Sequence, residues 1–185
     1  TGANTIRLYH TPSKENLALC QELNLLFISQ PDETTWKNLD ITSSNALEVY
    51  IGQFRKHIQT IDGHPTQLIF NLGNELELKH KHEEAIPKLY ELINDVADSS
   101  YYRFPTTYST FLTYLNHPAD ILSINMLDSG KTYWESAIPL LGKLNKPFLA
   151  TEFGGFVAFS ESTETHLRAD RMYRYWNALL KNGAI

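Results

Sequence analysis

Short apolar, β-rich runs alternate along the chain with longer segments in which apolar residues recur every three or four positions. The short runs are Ile6–Tyr9, Leu25–Ser29, Leu68–Leu72, Thr106–Ser109, Ile121–Asn125 and Phe148–Thr151. Most are nearly continuous in their apolar character, which predicts parallel strands buried on both faces. The longer segments predict helices with recognisable ends. Ser13 is placed to cap one in which Leu17, Cys20 and Leu23 face inward, and Asn24 can take the left-handed stop. From Ser44, the residues Tyr50, Phe54, Ile58 and Ile61 form a stripe that runs until Gly63. Ile86, Leu89, Tyr90, Ile93 and Ala97 form a third, and Trp134 to Leu144 a fourth, bent at Pro139. Leu167, Tyr173, Trp176 and Leu180 mark a last helix, stopped by Asn182-Gly183. The alternation predicts an α/β class with a parallel sheet.

Composition narrows the function more than the fold. The 185 residues carry 16 Lys+Arg against 21 Asp+Glu, a formal charge of −5. With 42% hydrophobic and 20% charged residues, the chain reads as one ordinary globular domain spanning 1–185. An acidic balance offers no basic face for nucleic acid. No apolar run approaches the ~20 residues of a membrane span. The single cysteine, Cys20, excludes an intrachain disulfide, lies on an apolar helix stripe and reads as core. There is no GxGxxG, no GxxxxGK[ST] and no Gly-x-Ser-x-Gly elbow, so nucleotide-binding and serine-hydrolase readings lose their usual signals. Lys79-His80-Lys81-His82-Glu83-Glu84 lacks the second helical histidine of a zinc pair and reads as a solvated loop. Nothing separates a cytoplasmic from a periplasmic or secreted soluble protein.

The chemistry gathers where the predicted strands run out. Arg7 and His10 follow Thr5-Ile6, Asn74-Glu75 follow the third run, Ser109 and Asn125 end the fourth and fifth, and Glu152 comes at the end of the sixth. At the carboxyl ends of barrel strands such residues read as catalytic, because that face collects the loops into one pocket. Glu75 and Glu152 supply the two carboxyls that glycoside hydrolysis needs. One protonates the leaving oxygen, and the other attacks or stabilises the anomeric carbon.

At these residues the chain resembles a known family. Asn71-Leu72-Gly73-Asn74-Glu75 is similar to the Gly-Asn-Glu acid/base motif of clan A retaining glycosidases, and Lys146 to Gly154, with Thr151-Glu152-Phe153-Gly154 at its end, resembles their nucleophile segment. Gly2 to Arg7, followed by His10 and Pro12, resembles the second barrel strand of glycoside hydrolase family 2, which holds β-galactosidases, β-glucuronidases and β-mannosidases. Leu19 to Leu26 resembles the run that follows it, and Arg103 to Tyr108 its fifth strand. The resemblance covers nearly the whole chain. It implies a TIM-type (β/α)8 barrel of which strands two to seven are present, hence a partial catalytic domain of a longer polypeptide.

The resemblance further implies a retaining β-glycosidase working by double displacement on a β-linked carbohydrate, with no cofactor or metal. Glu75 would be the acid/base and Glu152 the nucleophile, their carboxyls near the ~5–5.5 Å of retaining enzymes. Asn74 would bond the sugar 2-hydroxyl, Arg7 would hold Glu152 ionised, and His10 and Asn125 would line the substrate. A more desolvated Glu75 would keep its proton near neutral pH. Trp134 is either a stacking platform for a sugar ring or core; Trp36, Tyr114 and Tyr133 favour core or rim. One departure stands out: Asn125-Met126-Leu127 has lost the tyrosine with which that strand ends in the family. Two alternatives stay open, another clan A glucanase or β-glucan transglycosylase, and a carbohydrate-binding barrel without catalysis. The Arg-x-x-His-x-Pro spacing favours family 2 over the first.

Overall fold

A computed structural model describes residues 3–32, 40, 42–76, 86–98, 104–110, 118–127, 138–154 and 164–184. The strands are β1 (Thr5–Leu8), β2 (Leu26–Ser29), β3 (Gln67–Asn74), β4 (Thr106–Thr110), β5 (Ile121–Leu127) and β6 (Phe148–Gly154). All six expected strands form, and they lie in one parallel sheet in sequence order. A doubly wound sheet would reverse that order at a switch point, so the sequential order favours the barrel-type winding. The helices are α1 (Lys14–Glu22), α2 (Ser44–Ile61), α3 (Ile86–Asp98) and α4 (Glu164–Lys181). The chain divides into two compact units, Thr1–Tyr108 with Asn116–Asp120, and Ser109–Leu115 with Ile121–Ile185.

In the first unit, β1 pairs with β2 from Thr5↔Leu26 to Leu8↔Ser29, and β2 pairs with β3 with a register shift between Phe27 and Ile28. The α2 stripe does what its spacing predicts: Tyr50, Phe54, Ile58 and Ile61 are buried against Phe27, Phe70 and Leu72. Each such side chain contributes about 1.5–3 kcal/mol by leaving water. Leu89, Tyr90, Ile93 and Ala97 of α3 complete this core, and Cys20 joins it from α1. Burial there raises the Cys20 thiol pKa. Ser13 caps α1 in a box with Asn16, each side chain meeting the other's backbone N–H at 3.2 and 3.3 Å. Asn24 takes the left-handed stop at φ 51°. Leu23 departs from expectation and is exposed, because the helix ends at Glu22 and the cap residue turns off the inward face.

In the second unit, β5 and β6 pair in parallel, and Leu122, Ile124, Met126, Ile138, Leu141 and Phe148 form a separate core with Tyr175 and Leu179 of α4. Here the periodicity misleads. The predicted stripe residues Tyr173, Trp176 and Leu180 are exposed, while Tyr175 and Leu179 are buried. α4 carries two apolar stripes, and the one flanking Ala178, itself packed on that core, faces inward. Gly183 ends α4 at φ 82°, as predicted.

Candidate active site

β1 is only four residues long, and its exit carries the first candidate groups. Arg7 donates from Nη2 to Asn74 Oδ1 at 2.7 Å, and its guanidinium lies 4.3 Å from the centre of the Tyr9 ring. The bond spans 67 positions of sequence and links the first strand to the end of the third. His10 lies just beyond, exposed.

The third strand ends in a turn that many groups specify together. Asn74 is its last residue and is buried, and Glu75 follows, half-buried, at φ 50°. A left-handed backbone costs a side-chain-bearing residue about 1–2 kcal/mol, so surrounding bonds must hold it. Leu76, fully buried, donates its backbone N–H to the Tyr108 hydroxyl at 2.8 Å. Tyr50 donates its hydroxyl to the Leu72 carbonyl at 2.9 Å, and burial raises the Tyr50 pKa. Asn71 donates from Nδ2 to Gln30 Oε1 at 2.7 Å. Gly73 is closely packed: a Cβ there would meet Leu76 Cδ1 at 2.9 Å and Tyr108 Cε2 at 3.3 Å, so the buried Leu76 would have to shift for any larger residue. The Gly-Asn-Glu segment thus has a physical basis: close packing at the glycine, a polar partner for the asparagine and a forced turn at the glutamate.

The second unit presents its candidates differently. Ile124 opposes Ala150, but Asn125 opposes Glu152, so the register slips by one residue between them. Such a bulge re-aims side chains near a strand end. It sets Glu152, half-buried, beside the fully buried Asn125. Thr151 donates its hydroxyl towards Asn125 Oδ1 at 2.9 Å and the Ile124 carbonyl at 3.2 Å. Asn125 is therefore held from the same strand that carries Glu152. Ser109 is buried within β4.

Trp134, with Trp36, Tyr114, Tyr133, Arg103 and the segment 79–84, lies outside the described residues. Among those described, no group of three or more His, Cys, Asp or Glu could hold a metal, and no helix is long and apolar enough to cross a membrane. The sequence reading missed Gln30, Tyr50, Tyr108, Thr151 and His57. Their signal was a polar tip in or beside an apolar run: Gln30, Tyr50, Tyr108 and Thr151 each serve a backbone group or an amide, and His57 serves two hydroxyls.

No family model matches the chain, and no curated protein matches it in sequence. Solved structures do match in fold. A β-D-glucuronidase of Dictyoglomus thermophilum superposes with a TM-score of 0.77 at 18% identity, over 97% of this chain and 36% of that one. The β-glucuronidase of Ruminococcus gnavus gives 0.69 at 18% identity, over 95% and 36%. A Bacteroides uniformis β-glucuronidase 2, bound covalently to cyclophellitol-6-carboxylate aziridine, gives 0.70 at 17%, over 98% and 25%. The chain therefore shares its fold with a part of these glycosidases, and spans at most 36% of their length.

Proposed function

We propose that the chain is the catalytic portion of a retaining β-glycosidase of the family 2 type, with β-glucuronides the first substrates to test. The observation that carries this reading is the placement of the two glutamates. Each emerges late in, or just after, a parallel strand beside a buried asparagine: Glu75 after Asn74, and Glu152 opposite Asn125. Glu75 acts as acid/base and Glu152 as nucleophile. Asn74, oriented by Arg7, bonds the sugar 2-hydroxyl; His10, Asn125 and Trp134 contact the rest of the ring. The sugar first forms a bond from its anomeric carbon to Glu152 as Glu75 protonates the departing oxygen. Water, deprotonated by Glu75, then releases it with retained configuration. The fold shared with three β-glucuronidases supports this reading.

Glu152→Gly tests it, since the reading expects loss of hydrolysis with transfer retained from an α-glycosyl fluoride. Glu75→Ala is expected to spare substrates whose leaving groups need no protonation. An inverted product from the native protein contradicts the mechanism. The second reading, a carbohydrate-binding barrel without catalysis, is favoured by Leu127 in place of the family's tyrosine, and predicts sugar binding with no turnover.

A further inference from the structure

His57 is a polar residue on the buried stripe of α2, 1% exposed, with Phe54 and Phe70 rings around it. An imidazole there loses its water, and burial pushes its pKa down to about 3, so the ring is neutral. A phenylalanine would place an aromatic ring there without that desolvation cost. The reason for a histidine lies in what its two nitrogens touch.

Nδ1 lies 3.0 Å from the Thr11 hydroxyl and Nε2 3.2 Å from the Ser29 hydroxyl. The direction of these bonds follows from the far end of the chain. Gln67 gives its amide N–H to the Ile69 carbonyl at 2.7 Å, which leaves its oxygen to receive the Ser29 hydroxyl at 3.4 Å. Ser29 has one hydrogen, already given, so it can only accept from His57. Nε2 therefore carries the ring proton, and the bare Nδ1 accepts from Thr11. Each bond fixes the next, from the β1 exit to the backbone of β3.

Thr11 is half-buried. A cavity of about 360 Å³ borders it, with Gln53, His57 and Thr60 among the other lining residues. On its other side the chain is stiff: Pro12 is buried and restricts Thr11 to extended backbone, and Ser13 caps α1. The Thr11 hydroxyl thus ties down the exit of β1 one residue beyond His10. We propose that His57 is a positioning residue: through Thr11 it fixes the segment from which His10 projects towards substrate. That His10 meets substrate rests on the glycosidase reading; the hydrogen-bond chain does not.

The test uses Thr11→Val, which keeps the shape and removes the hydroxyl, and His57→Phe, which keeps the ring and removes both bonds. Long-range ¹⁵N–¹H spectra of the native chain are expected to show His57 as the Nε2–H tautomer. The His10 ring signals are expected to shift alike in both variants, with no further shift in the double variant. With a β-glucuronide, both variants are expected to lose about tenfold to a hundredfold in kcat/KM. An Nδ1–H tautomer, or His10 signals unmoved in Thr11→Val, overturns the proposal. If the native chain hydrolyses nothing, the glycosidase reading fails while the spectra still decide the role of His57. If His57→Phe does not fold, the tautomer and Thr11→Val carry the decision.

Discussion

The two units present a glutamate late in a parallel strand by different devices. In the first, the backbone itself turns: Glu75 sits at φ 50°, and Tyr108, Tyr50, Asn71 and the bare Cα of Gly73 hold the surroundings in place. In the second, the strand stays extended, and a one-residue slip against β5 sets Glu152 opposite Asn125, with the Thr151 hydroxyl among the groups that hold Asn125. The first device stores strain and spreads its support over a buried core, so it is rigid and sensitive to many substitutions. Strain of this kind persists only where neighbours over-determine the backbone.

Acid distinguishes the units most strongly. His57 binds a proton below its ordinary 6.5 when unfolded, but only near 3 when folded. Unfolding therefore takes up a proton in that window, and stability falls as pH drops from 6.5 towards 3, by up to about 1.4 kcal/mol per pH unit. Hydrogen exchange at Ser29 and Thr11 is expected to quicken before that at Asn125, and His57→Phe is expected to flatten the slope. Equal acceleration in both units would erase the contrast.

Next in size is Gly73→Val, which forces branched carbons against Leu76 and Tyr108. A loss of about 1–3 kcal/mol is expected from denaturant titration, as for an overpacked core. Thr151→Val should cost only about 1 kcal/mol, one hydrogen bond's net worth, and move the Asn125 side-chain signals. The smallest effect is the most telling, because its sign reverses. Glu75→Gly is compared with Glu75→Ala, which removes the same side-chain partners; it relieves about 1–2 kcal/mol of left-handed strain against an entropy cost of about 0.5–1, so the glycine variant is expected to be the more stable. Glu152→Gly, in extended backbone, is expected to be less stable than Glu152→Ala by about 0.5–1 kcal/mol. Glycine-to-alanine differences of the same sign at the two positions would show that Glu75 is not strained.

Periodicity alone specified all six strands, the α2 stripe and the left-handed residue after α1, because these follow from spacing and local cap chemistry. It failed at α4, where Tyr173 and Trp176 outshine Tyr175 and Leu179 in a count of apolar positions. Which of two stripes meets the sheet is a tertiary property, and spacing within the helix does not carry it. The glutamates were legible from their place after apolar runs. Their supports were not: Tyr108 bonds a backbone 32 positions away, and Thr11 reaches His57 across 46. Hydroxyls in strands look alike in sequence whether they serve a neighbour or merely fill a layer.

The central claim is that Glu152 forms a covalent bond to the sugar during turnover. A 2-deoxy-2-fluoro-β-glucuronide with a good leaving group slows both steps, the second more, and so traps that intermediate. Intact mass followed by peptide mapping is the direct measurement. The account predicts a single fluoroglycosyl adduct on the peptide containing Glu152, absent from Glu152→Gly. An adduct on another residue, or product released in inverted configuration with no adduct, would contradict it.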